Sequence, residues 1–149
     1  MPKIDFSQAV TAATRNASAL AAAQAQAHAR VITLIEAAST AITGPVPLAE
    51  MLSWTAKEEA ARRLLSLPEG ETDAGIEAIL GGEAALTGET IGPLAIKIIA
   101  NADAYRTIIA VLAGLRRKTS AAIDTAQTPE AVQTAVDAMA AQLAQVTSA

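Results

Sequence analysis

The chain has 149 residues, of which 52% are hydrophobic and only 2% aromatic, with no cysteine and a formal net charge of −4. Its length fits one domain, or a small domain with an extended arm, and excludes two full domains. The acidic balance argues against a general nucleic-acid surface, which needs clustered Lys and Arg, and the lack of thiols removes disulfides and thiolate metal sites.

Alanine and the aliphatics carry the hydrophobic excess. Burial stabilises by roughly 25 cal/mol per Å² of apolar surface, so an alanine face gains little per residue. Close approach of backbones, or more helices, must compensate, which points to self-association or a partner. The opening Met1-Pro2-Lys3-Ile4-Asp5-Phe6 does not read as a signal peptide, because the alanine-rich stretch after it is broken by Thr14, Arg15, Asn16 and repeated Gln.

Asp5 or Ser7 can cap a first helix, with Gln8 three residues after Asp5, and nothing breaks the pattern until Gly44-Pro45. A helix from about Phe6 to Thr43 is roughly 55 Å long at 1.5 Å per residue. One seven-residue register collects Val10, Ala13, Ala17, Leu20, Gln24, Ala27, Val31, Leu34, Ala38 and Ala41, with Gln24 as the sole polar member. Beyond Ala29 the apolar arc broadens, so that half belongs to a domain core while the first half makes a narrower seam. We therefore expect an oligomerisation arm over residues 1–30 and a helical bundle over 31–149.

Pro47 suits the first position of a second helix, Leu48 to Leu67. Glu58/Arg62 and Glu59/Arg63 sit there at ion-pair spacing, and Thr55 with Glu58 offers a restart near Ser53-Trp54. Thr72 or Asp73 caps a short helix to Leu80 that Gly81-Gly82 ends, and Leu86-Thr87-Gly88-Glu89 forms a further loop. Thr90 starts a second long helix, with Pro93 in its first turn, running to about Ala126. Its apolar register holds Ile91, Ile98, Tyr105 and Leu112 beside Leu94, Ala95, Ala102 and Ile109. Lys97, Asn101, Asp103 and Arg106 interrupt Ile91 to Leu115, so we expect no membrane span and a soluble protein. Thr128-Pro129-Glu130 starts a last helix to about Val146, with Val132, Val136, Met139 and Leu143 on one face. No β-alternation appears, so the expected fold is all-α: a long alanine-rich coiled-coil-like arm, then a compact bundle of about four helices.

No catalytic, cofactor or metal site is expected. His28, the sole histidine, lies among alanines with no acidic residue one turn away, and reads as solvent-facing or interfacial. Glu58 and Glu59 have Arg partners, and Gly81-Gly82-Glu83 lacks the Lys-Ser/Thr and preceding strand of a phosphate loop. Arg116, Arg117 and Lys118 read as a solvated stripe. Trp54 is expected to anchor the second helix, and Phe6, isolated at the chain end, to dock into a partner.

The segments Pro47-Leu48-Ala49-Glu50-Met51-Leu52-Ser53-Trp54-Thr55-Ala56-Lys57-Glu58-Glu59-Ala60, Leu86-Thr87-Gly88-Glu89 and Asn101-Ala102-Asp103-Ala104-Tyr105 follow a long helix in a familiar order. Over Ala29 to Ala126 the chain resembles small helical proteins encoded near the tail-fibre genes of tailed bacteriophages and prophages. The resemblance implies a non-enzymatic role in the tail or fibre, in the virion or in the host cytoplasm during assembly, and supplies no catalytic residues. Its alternative is a fibre-assembly chaperone absent from the finished particle. The expected partners are further copies of the chain or other tail proteins, with no nucleic acid, membrane or small-molecule substrate. The candidate interface is Phe6, Val10, Ala13, Ala17, Leu20, Gln24, Ala27 and Trp54.

Overall fold

The computed structural model describes residues 11–68, 70, 71 and 73–148, and these are all-α, without a strand. Five helical segments follow one another: α1 (Ala12–Thr43), α2 (Leu48–Ser66), α3 (residues 74–87), α4 (Ile91–Thr125) and α5 (Pro129–Thr147). Their contacts fall into two units. One joins residues up to Ile42 to those from Val111 onward, and the other is Thr43–Ala110. The boundary expected at residue 30 falls inside α1, within the first unit.

In the first unit, Thr11 Oγ1 accepts the Thr14 amide at 3.1 Å and so caps the described part of α1. The expected caps Asp5 and Ser7, and Phe6 and Val10, lie outside the described residues. The last fifteen residues of α4 and the whole of α5 form a helical hairpin. Thr128 caps α5 by accepting the Ala131 amide at 3.2 Å, ahead of Pro129 at the first position. All four residues expected on the inner face of α5, Val132, Val136, Met139 and Leu143, are buried. With Ala27, Val31 and Ala38 of α1 and Leu112, Thr119 and Ile123 of α4 they make up the buried set of this unit. On α5 these residues keep three- and four-residue steps and on α1 steps of four and seven, so each helix turns one stripe inward.

In the second unit, Ala60, Ala61, Ile76, Leu80, Ala84, Leu94 and Ala95 form the core, with Leu64, Leu67, Ile91, Ile98 and Ile99 packed against it. Helix α2 runs unbroken through Ser53-Trp54, because Ser53 bonds back to the Glu50 carbonyl at 2.7 Å and Thr55 starts no new cap. Asp73 does cap α3, accepting the Gly75 and Ile76 amides at 2.7 and 3.2 Å; Thr72 lies outside the described residues. Gly81-Gly82 do not end this helix, against expectation. Glu77–Gly81 form a π turn and the chain continues as Gly82–Thr87 until Gly88, at φ 73°, closes it and the Glu89 amide donates to the Ala84 carbonyl. Four-residue steps in a regular helix drift by about 40°. The wider π turn offsets that drift, so Ile76, Leu80 and Ala84 all face the core.

Helix α4 passes from the second unit into the first. By length and composition it is long and apolar enough to cross a membrane, with a mean hydropathy of 1.4 over its most apolar stretch. Of the four polar interruptions, Lys97 lies outside that stretch, which keeps Asn101, Asp103 and Arg106. The two charges that remain, Asp103 and Arg106, pair with each other at 2.8 Å.

Candidate helix interfaces

In the second unit α2 and α4 are joined by a ring of alternating charge. Glu58 accepts from Arg62 on its own helix at 2.8 Å and from Arg106 on α4, while Asp103 accepts from Arg62 at 2.5 Å and from Arg106 at 2.8 Å. Two carboxylates and two guanidiniums thereby neutralise one another. Hydrogen bonds from Arg62 and then Arg106 hold the Glu58 carboxyl below its ordinary value of 4.5, and the same contacts raise both arginines. One turn before Glu58, the half-buried Trp54 meets Tyr105 edge to face, with centroids 5.5 Å apart and rings at 82°. The tryptophan thus anchors α2 on α4, an aromatic geometry that adds to simple burial.

Two of the spacings read from the sequence have different outcomes here. Glu58/Arg62 forms as an i,i+4 pair. Arg63 instead reaches Asp73 at 2.7 Å, drawn away from Glu59 by a carboxylate already fixed at the start of α3. The Gly75 amide foremost, with the Ile76 amide and Arg63, holds Asp73 below its usual 3.8. Lys57 to Glu83 at 2.6 Å and Lys97 to Glu89 at 2.7 Å complete the ion pairs of this unit among the described residues.

The first unit places most of the remaining candidates. Gln24 is half-buried and its Nε2 donates to the Ile123 carbonyl at 2.9 Å, so the one polar member of the stripe bonds within its own chain. Ala27 is buried as well, and with Ala23 and Arg30 it lines a shallow groove of about 130 Å³ against Pro129, Val132 and Val136. Upstream, Leu20 is half-buried, and Ala13 and Ala17 are exposed along with every residue from 11 to 19. His28 Nε2 lies 2.8 Å from Asp124 Oδ1, an acidic partner from α4 rather than from one turn away. The pairing joins residues 96 apart, which no local spacing announces. Arg116, Arg117 and Lys118 are exposed, as expected of a solvated stripe.

Among the described residues no three His, Cys, Asp or Glu side chains come together to hold a metal ion. The ion pairs and hydrogen bonds described above run across helices or along them. These features define an all-α protein in which apolar stripes and paired charges serve helix packing. No family model, no curated protein and no solved structure matches the chain.

Proposed function

We propose that the protein is a non-enzymatic structural component that works through helix–helix interfaces, in the tail or tail fibre of a tailed bacteriophage. The tail assignment rests on the sequence resemblance. The interface reading is supported by one observation, the exposure of residues 11–19 on every side of α1. Ala13 and Ala17 continue the register of Leu20, Ala27, Val31 and Ala38, yet among the described residues they stay exposed where Leu20 is already half-buried. Extending an existing helix avoids the costly nucleus, and alanine is the best helix former, so such an arm holds its shape without a buried face. Its small side chains let another helix approach closely, either from a second copy or from a neighbouring tail protein.

Ala13→Glu with Ala17→Glu keeps helix propensity high while adding charge to this stripe. Sedimentation of the wild-type chain should show oligomers that the double variant loses, with circular dichroism unchanged. An identical mass for both proteins rules out pairing of copies through α1. Mass spectrometry of purified particles should find the chain in the tail; its absence there, in infected cells that make it, turns the reading to an assembly chaperone.

A further inference from the structure

We infer that Gln24 and His28 form a polar clasp that fixes where α1 parts from the α4–α5 hairpin. Helix α4 ends at Thr125 and is followed by Ala126, Gln127 and Thr128, none of which takes the left-handed conformation that usually closes a helix. Its last carbonyls are met by other means. Thr125 Oγ1 donates to the Ala122 carbonyl at 3.3 Å, Gln127 Nε2 donates to the Thr125 carbonyl at 3.0 Å, and the Ala126 amide donates to the Ile123 carbonyl at 3.3 Å. The Gln24 amide of α1 adds a second donor to that same Ile123 carbonyl.

Asp124 is poorly placed by itself, because a carboxylate in the last turn of a helix meets the negative end of the helix dipole. His28 lies one turn along α1 from Gln24 and provides the compensating contact, which requires its proton on Nε2. Both α1 side chains therefore grip consecutive residues, Ile123 and Asp124, at the tip of the hairpin. Within and below the clasp α1 is packed through Ala27, Val31 and Ala38, just above it Leu20 and Ala23 are half-buried, and beyond them residues 11–19 are bare. Alanines alone do not mark that boundary, since Ala23 and Ala27 differ little from Ala13 and Ala17 in what they bring to a partner face. The directional contacts supply the marker. This inference holds for a single chain and does not depend on whether the arm meets another molecule.

Two arginines in α1 report on the boundary. Arg15 stands in the bare arm and Arg30 just below the clasp. Cleavage of a transiently opened segment follows its open population when reclosing is fast. In limiting trypsin the wild-type chain should be cut after Arg15 well before Arg30. Gln24→Ala with His28→Ala should raise the cutting rate after Arg30 about tenfold or more, as expected for the loss of two hydrogen bonds. Cuts in the second unit should keep their rates. Asp124→Asn, which keeps the side chain's shape, should give a smaller rise at Arg30, and it serves as the test if the double variant does not fold. Unchanged cutting after Arg30 in the folded variants would show that the apolar stripe alone sets the boundary and would overturn the clasp.

Discussion

Leu80→Ala should remove most of the stability of the second unit while leaving the first folded. Leu80 is fully buried, and the core around it contains four alanines, Ala60, Ala61, Ala84 and Ala95. Alanines have no side chain to swing into a vacated space, so the cavity stays open and the cost lies toward the upper end of the usual range, about 3–5 kcal/mol. A unit of about 70 residues has roughly 4–10 kcal/mol in total. The chain's one tryptophan, Trp54, sits in this unit, so its fluorescence follows the second unit alone whereas circular dichroism follows both. In urea, at a slope of about 1 kcal/mol per M, the fluorescence midpoint should drop by about 3 M or be lost, and the dichroism curve should split in two. A fall of less than about 1 kcal/mol would refute the argument from an uncollapsible alanine shell. A parallel fall of both signals would instead show that α4 makes the two units unfold together.

Acid should weaken the second unit through Glu58. Its carboxyl titrates below the ordinary 4.5, so its contribution is present above that value and lost as the pH falls through the lowered one. The urea midpoint read by Trp54 should be level between pH 7 and 5 and decline below about 4.5, and Glu58→Gln should make that decline shallower; the same slope in both proteins would remove Glu58 from the account. In the first unit, Thr128→Ala deletes the α5 cap and should cost about 1 kcal/mol, whereas Thr128→Ser should cost little. A thermal melt in which both variants match the wild type would show that Pro129 and the hairpin fix this helix start without the hydroxyl.

The parts of this fold that are legible in the sequence are those set by local chemistry. The start of α5 follows from Thr128-Pro129-Glu130, and its inner face from Val132, Val136, Met139 and Leu143, because cap and stripe lie within one helix. The Asp73 cap and the Glu58/Arg62 pair are readable for the same reason. Gly81-Gly82 misled because glycine is also tolerated inside a helix when a tertiary core holds it, and here Ile76, Leu80 and Ala84 fix the turn from outside. Gln24 was readable as a register-setting polar residue, but its acceptor, the Ile123 carbonyl, lies far along the chain and within the same molecule. His28 with Asp124, and Arg62 and Arg106 with Asp103, are likewise products of topology. Apolar periodicity identifies which face of a helix is turned inward without naming what it meets there. The alanine register of α1 therefore runs on through the hairpin tip, and only the broader apolar arc beyond Ala29 marks the packed half.

The alanines of the interior also shape how the protein responds to temperature. Among the described residues six of the sixteen buried apolar side chains are alanine. The heat capacity gained on unfolding scales with the apolar area released to water, about 0.45 cal/K/mol per Å², and each of these positions releases little. Stability should therefore vary slowly between cold and warm conditions, with a broad, low maximum. A protein with such a flat profile gains little from cooling, and its endurance of heat rests on contacts that do not depend on released water, foremost the charged ring joining α2 to α4.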